Sequence, residues 1–484
     1  MAHECPFCQR SRIEIFANDR CAKILQTIAN FIYSAKRSRF LKKPLLLFFV
    51  GLLANKILFS QNPIVPAGTF IADPTARVWH DRKLYVYGSL DESCNYYCSH
   101  RHHVLVTEDL KKWTIIKNVL MSRGASDAIA YNNHLLYAPD CAYKNGTYYL
   151  YYCQPSRETA EGVAVSPSPI GPFLNGQPID LGGHNQIDPC VFIDDDGQAY
   201  YLWGQFSLKM AKLKSNMKEL DLATLKDHVL TENEHYFHEG AFLSKRDGIY
   251  YLIFADLSRG DIPTCIGYAT SNKPFGPYTY RGVIIDNNHC NPGNWNNHGS
   301  IVEFKGKWYV FYHRSSHGCK TMRKACVEPI QFKADGSIPE VEMTSQGAGD
   351  PLDAYSVIEA ERACILNGHL RLRSFSAVQE ELGEIRNGDM AGFKYVDFKN
   401  GAAEVAVRVA SGAKGGKIII SVDKPWHQQL GSFEIEPGKG KKTWRTFTFG
   451  INPIVGVHAV WLQFYGEEGN LFDLDWLKFK KKSE

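Results

Sequence analysis

The chain has 484 residues, 44% hydrophobic and 22% charged, a balance that supports a packed core and excludes a disordered or collagen-like protein. Its net charge of +4 is too small, and its positive residues too scattered, for a nucleic-acid-binding surface. Thirteen cysteines without tight regular spacing exclude a small disulfide scaffold. At about 150 residues per domain the length allows roughly three domains, or two where one is a large repeat architecture.

Residues 1–61 differ in texture from the rest. Cys5 and Cys8 have CxxC spacing, but no second CxxC and no βαβ pattern follow, so a zinc or redox site is not expected. Lys36, Arg37, Arg39, Lys42 and Lys43 precede the apolar run PLLLFFVGLLA, Pro44 to Ala54. Basic residues before a short apolar run match a secretory signal, and the run is too short to span a bilayer comfortably. The expectation is a secreted or periplasmic protein cleaved shortly before Asn62. A stretch of about 35 residues before the basic cluster is long for such a signal. A mis-assigned start or a membrane-anchored product is the alternative.

From Asn62 to Met343 the chain alternates strands and turns. Leu220 to Leu230 is the one weak helix candidate. Five segments share a pattern, a turn followed by an aromatic-rich strand: DRKLYVYGS, NGTYYLYYC, DGQAYYLWG, DGIYYLIFA and KGKWYVFYH. Their tyrosines, Tyr85, Tyr148, Tyr200, Tyr250 and Tyr309, recur roughly every 50 to 60 residues, the spacing of propeller blades. Five occurrences predict a five-bladed β-propeller over 62–343. Cys94 and Cys98 lie near His100, His102 and His103, where free or locally bridged loop cysteines are expected ahead of a metal site.

Three acids stand at comparable places, each just before a strand: Asp73 in ADPT, Asp188 in IDPC and Glu239 in HEGA. Inner strands of a propeller begin near its central channel, so these residues converge on one funnel. Clustered carboxylates repel one another and raise the pKa of at least one. Glycoside hydrolysis needs that arrangement: one carboxylic acid kept protonated and one carboxylate kept ionised. A lone Asp-Pro is usually a turn; three acids at equivalent places in separate blades are not.

Asp73 in ADPT, Asp188 in IDPCVFIDDDG and Glu239 in HEGAFLSKRDGIYYL resemble the motifs of glycoside hydrolase family 43, five-bladed propellers that cleave plant polysaccharide side chains and oligosaccharides. The resemblance implies an inverting mechanism, with Asp73 as general base, Glu239 as general acid and Asp188 tuning and orienting the acid. It places His298, in NHGS, on the central channel, in some members beside a calcium ion. It places Asp140, in APD, on the wall of the sugar pocket, and Arg314 in the pocket within reach of Asp188. Trp203, Trp295 and Phe70 are candidates for stacking on sugar.

A polar, Gly- and Pro-containing stretch, 344–354, reads as a linker. After it, period-two strands such as Trp444 to Phe449 and Ala459 to Phe464 predict a β-sandwich over 355–484. IEAE (Ile358 to Glu361), Gly388-Asp389, YVDF (Tyr395 to Phe398) and NLFDLDW (Asn470 to Trp476) resemble a family 6 carbohydrate-binding module. That resemblance implies a structural calcium held by Glu359, Glu361 and Asp475. Phe393 stands where a sugar-binding tyrosine or tryptophan is usual, so a module that only buttresses the propeller is the alternative.

The sequence therefore predicts an all-β enzyme, an inverting exo-glycosidase releasing α-L-arabinofuranose or β-D-xylose from plant polysaccharide or oligosaccharide. It predicts no organic cofactor, at most a structural calcium, and neither a nucleic-acid nor a stable protein partner. A same-family exo-galactanase or endo-arabinanase is the nearest rival. A non-catalytic glycan-binding propeller, or a propeller serving as a protein-interaction platform, is the rival of another class.

Overall fold

The structure, a computed structural model, describes residues 61–288, 290, 293, 295–411, 414–438 and 443–481, with the backbone of Lys56–Leu58. The basic cluster, the apolar run and the CxxC pair of the leader lie outside the described residues. Among the described residues no helix is long and apolar enough to cross a membrane.

Five antiparallel sheets follow one another along the chain, each laid down strand by strand from the centre outward. Their innermost strands are Ile71–Val78, Tyr137–Lys144, Cys190–Ile193, Phe237–Arg246 and Ser300–Phe304. Each touches the next, and the fifth touches the first, so the ring closes as a five-bladed propeller. The five repeating tyrosines all fall in the second strand of their blade and are buried at 4–7% exposure. They recur because each blade needs an aromatic at the same packing position.

The last sheet has only three strands of its own, ending in Cys319–Ile330. The segment after Gln61 completes it. Ile64 N donates to Ala325 O at 2.9 Å, and Asn62 Oδ1 accepts from Val327 N at 2.8 Å. The start of the propeller thus fastens its end. The expected helix at Leu220 to Leu230 is instead the outer strand Leu220–Lys226 of the third blade, with cross-strand pairing to Lys209–Leu213 overriding the local pattern.

The C-terminal unit is a sandwich of two sheets around one apolar core. The stretch 344–354 is not a free linker. Thr344 bonds Glu328, Ser345 N donates to Lys394 O at 2.6 Å, and Leu352–Asp353 pairs in parallel with Val396 and Asp397. The sandwich packs on the fifth blade. Lys324 pairs with Glu380, Gly68 N donates to Glu380 Oε1 at 2.9 Å, and Arg362 Nη1 donates to Pro63 O at 2.6 Å.

Candidate active site

Backbone irregularities at the starts of the inner strands bring the acids together. The pairing of Ile71–Val78 with its neighbour shifts register between Ala72 and Thr75, that of Tyr137–Lys144 between Tyr137 and Asp140, and that of Phe237–Arg246 between Glu239 and Phe242. A bulge re-aims a side chain that regular pleating would send elsewhere. φ is positive at two of them, 52° for Asp73 and 67° for Gly240, and also at Asp188, 66°, which precedes a regularly paired strand. Aspartate and glycine tolerate that region best.

Asp73, Asp188 and Glu239 are each 3–6% exposed. His298 stands among them, its Nδ1 3.8 Å from both Asp73 Oδ1 and Asp188 Oδ2. Gly240 leaves room for that ring; a Cβ there would stand 2.8 Å from it. Burial lowers the His298 pKa against the pull of Asp73 and Glu239, which leaves the imidazole neutral. His298 thus stands between two of the three acids.

The three acids have different surroundings. Asp73 Oδ1 accepts from Arg323 Nη1 at 2.8 Å and Oδ2 from Ser89 Oγ at 2.6 Å. Its own N–H donates to His313 Nδ1 at 3.1 Å. Burial works against its ionisation, but Arg323, the two histidines and Ser89 outweigh burial and lower its pKa to about 2. Asp188 has no such cation. Burial, then Glu239, then Asp73 push its pKa well above the carboxylate range, with the weak donor Cys153 Sγ at 3.7 Å and His298 Nδ1 at 3.8 Å beside it. Glu239 Oε2 accepts from Gln205 Nε2 at 2.6 Å. One carboxylate of the site is thus held ionised beside a guanidinium, while burial and its neighbours hold another protonated.

Several expected site residues lie elsewhere. Arg314 does not meet Asp188. It turns toward the sandwich, with Nε on Cys326 Sγ at 3.3 Å and Nη1 on Cys364 O at 3.0 Å. The site's cation is Arg323, which also clasps Asp91 through Nε at 2.8 Å and Nη2 at 2.9 Å. Asp140 is buried beneath the acids and fully occupied, by Arg77 through two bonds of 3.0 and 2.6 Å and by Val191 N at 2.7 Å, so it braces the channel rather than binding sugar. Trp203 is wholly buried, its indole donating to His184 O at 2.8 Å, and cannot stack on a ligand. Phe70 is nearly buried against His317, whereas Trp295 is 38% exposed.

Sequence reading missed Arg323, Asp91, Ser89, Gln205 and His313. The available signal for Arg323 was its place in the strand CKTMRKACVEPI, in phase with Thr321, Ala325 and Val327 on one face. Cys94 is neither free nor locally bridged; it forms a disulfide with Cys319, while Cys98 is free and buried.

The side chains expected to hold calcium do not fit one. Calcium takes six to eight oxygens, roughly, from convergent ligands. Asp475 is tied to Arg408, and Glu361 is faced by Arg362 and Lys324. Among the described residues no group of three or more His, Cys, Asp or Glu side chains stands in a metal-holding arrangement, His298 included. Phe393 belongs to the sandwich core, and among the described residues the most exposed aromatic of the module is Trp426, at 81%, with Tyr465 also exposed.

Residues 60–338 match the family model "Glycosyl hydrolases family 43", and residues 365–481 match "Carbohydrate binding module (family 6)". The chain is 29% identical to a xylosidase/arabinosidase of Thermoclostridium stercorarium, over 84% of this chain and 96% of the relative. It is 28% identical to an arabinoxylan arabinofuranohydrolase of Bacillus subtilis (strain 168), over 88% and 94%. Among solved structures it resembles a family 43 arabinoxylan arabinofuranohydrolase from Bacillus subtilis in complex with cellotetraose, at TM-score 0.52 and 26% identity, covering 89% of this chain and 99% of that one. It also resembles a β-xylosidase/α-arabinofuranosidase from a compost microbial metagenome, in complex with xylotriose and calcium-free, at TM-score 0.51 and 30% identity, covering 59% and 98%.

Proposed function

The chain belongs to glycosyl hydrolase family 43, and from that premise we propose that it is an inverting exo-glycosidase releasing α-L-arabinofuranose or β-D-xylose from hemicellulose-derived chains. The observation that carries the reading is the convergence of buried acids with unlike partners: Asp73 is bonded to Arg323 and held ionised, while Asp188, across His298 from it, has no guanidinium bonded to it and is pushed well above the carboxylate range by burial. The relatives named for xylosidase, arabinosidase and arabinoxylan arabinofuranohydrolase activity support the sugar class.

In this mechanism water sits between Asp73 and the anomeric carbon. Asp73 Oδ removes a proton from the water as its oxygen attacks. The glycosidic C–O bond breaks, and Glu239 transfers its proton to the departing oxygen. The attack comes from the face opposite the leaving group, so the anomeric configuration inverts. Gln205 fixes Glu239 in orientation, and Asp188 lies close enough to Glu239 for their charges to repel. The family 6 module is assigned to polysaccharide binding, with Trp426 as its most exposed aromatic among the described residues. Export is part of the reading, and the Cys94–Cys319 disulfide accords with an oxidising compartment.

Aryl α-L-arabinofuranoside and aryl β-D-xyloside, given to the chain from Asn62 onward, test the activity, with Asp73→Asn and Glu239→Gln as controls. Release of one pentose, first seen by NMR as the inverted anomer and lost in Asp73→Asn, is expected. On natural glycosides Glu239→Gln is expected to be inactive while folded. Turnover surviving in it would reassign the acid, and retention of configuration would overturn the mechanism.

A further inference from the structure

The loop Asp91 to Ser99 leaves the second strand of the first blade and is fastened three times to the strand Cys319–Ile330, which supplies Arg323. Asp91 is held by Arg323 itself, through Nε and Nη2 and through the Arg323 N–H at 3.0 Å. Thr321 Oγ1 donates to Ser93 O at 2.8 Å. Cys94 is joined to Cys319 by the disulfide, across a sequence separation of 225. The loop has little packing of its own, since Glu92, Cys94, Asn95 and Tyr96 are all exposed. Its position therefore depends on these fasteners.

Tyr97 stands within this loop. Its ring lies against the Arg323 guanidinium, whose carbon is 4.9 Å from the ring centre. Its hydroxyl is buried and has no hydrogen-bond partner. The same guanidinium bonds Asp73 Oδ1 at 2.8 Å, so the tyrosine stands beside the base of the reaction, and the charges of Arg323, Glu239, Asp73 and Asp91 all act on its hydroxyl. Burial pushes its pKa up to about 12, and it remains an O–H donor at working pH. A buried hydroxyl without a partner has lost its solvation and gained nothing in return. At a site built for a polyhydroxylated ligand, that cost is removed when a sugar hydroxyl arrives.

We propose that Tyr97 is a further sugar-binding residue, its hydroxyl bonding a hydroxyl of the pentose between Asp73 and Glu239, and that the Cys94–Cys319 disulfide holds it there. The proposal rests on the glycosidase reading. It makes the disulfide a positioning device of the active site rather than a general staple, and it makes sugar affinity sensitive to thiol reductants.

The test uses Tyr97→Phe, Cys94→Ser and the double variant, assayed on whichever aryl pentoside the wild type hydrolyses. Tyr97→Phe keeps the ring on Arg323 and removes only the hydroxyl. Its kcat/KM is expected to fall about tenfold, with the acidic limb of the pH–rate profile unmoved. Cys94→Ser is expected to fall in the same direction, and the double variant no further than Tyr97→Phe, because both act through one contact. Dithiothreitol should lower kcat/KM of the wild type and leave Cys94→Ser unchanged. Wild-type kcat/KM in Tyr97→Phe would overturn the proposal, as would fully additive losses in the double variant. If the wild type hydrolyses neither glycoside, the substrate reading fails on its own account. This inference is then decided by calorimetric affinity for L-arabinose and D-xylose, where equal values for wild type and Tyr97→Phe overturn it.

Discussion

The contrast between Asp73 and Asp188 shows how two aspartates in the same sequence context, each followed by proline, receive opposite chemistry from their neighbours. Arg323 makes the difference. Replacing it, as Arg323→Gln, removes the largest of the influences that hold Asp73 near pKa 2 and leaves burial opposed only by the histidines and Ser89. The base must then be deprotonated at higher pH, so the acidic limb of kcat/KM should move upward, visible as a loss of activity at pH 5 greater than at pH 7. A uniform loss across pH would mean that Arg323 acts by positioning alone. Asp188→Asn has the opposite reach. It removes a negative neighbour from the acid, whose proton becomes easier to lose, so the basic limb should move to lower pH. An unshifted basic limb would remove Asp188 from that role. All three acids were legible in the sequence because each combined a carboxylate with a strand start. Arg323 was not, since its partner Asp73 lies 250 positions away. Arg314 was mistaken for it because the two occupy adjacent strands, with Arg314 paired opposite Lys324.

At the scale of the strand, function depends on departures from regularity. The period-two pattern gave each blade its strands, and the recurring tyrosine gave their number. The bulges left no comparable mark, because one extra residue in a strand looks like ordinary sequence. Gly240 is the clearest case. It follows the acid, has φ 67°, and sits against the His298 ring. Gly240→Ala introduces a Cβ 2.8 Å from that ring at a backbone angle that disfavours it. The variant should lose about 1–2 kcal/mol of stability and displace His298. Because His298 touches both Asp73 and Asp188, activity should fall by more than the unfolded fraction explains. Thermal denaturation beside kcat/KM at 25 °C checks this; a variant with native melting and native turnover would show that the close approach carries no function. Asp140 and Trp203 were misread for the same reason. Sequence places a residue on a strand but does not say whether an arginine such as Arg77, or a core such as that around Tyr201, has already claimed it.

The whole molecule is organised by the junction between propeller and sandwich, which the sequence presented as a linker. Polar, turn-rich composition is common to flexible connectors and to segments whose polar groups are all bonded to neighbours; only the partners, such as Glu328 and Lys394, distinguish them. The junction buries charge. Glu361 lines a cavity of about 220 Å³ between the two units, and its Oε2 is buried without a hydrogen-bond partner. Burial is the main cause that raises its pKa from 4.5 to about 7; Glu359 adds a little, and Arg362 and Lys324 oppose the rise. A carboxyl whose pKa is higher in the folded chain favours folding only while it is protonated. Its contribution is therefore complete below about pH 4.5 and is lost as pH rises through 7. Glu361→Gln keeps the shape and removes the titration. Relative to the wild type, the variant should be nearly neutral at pH 4.5 and more stable at pH 8, by about 1–3 kcal/mol. The difference in melting temperature between the two proteins, measured at both pH values, isolates this residue from every other group that titrates in the same range. A gap that stays constant with pH would mean that Glu361 ionises in the folded protein as freely as in the unfolded one, and that the charge at the junction is compensated by Arg362 and Lys324 after all.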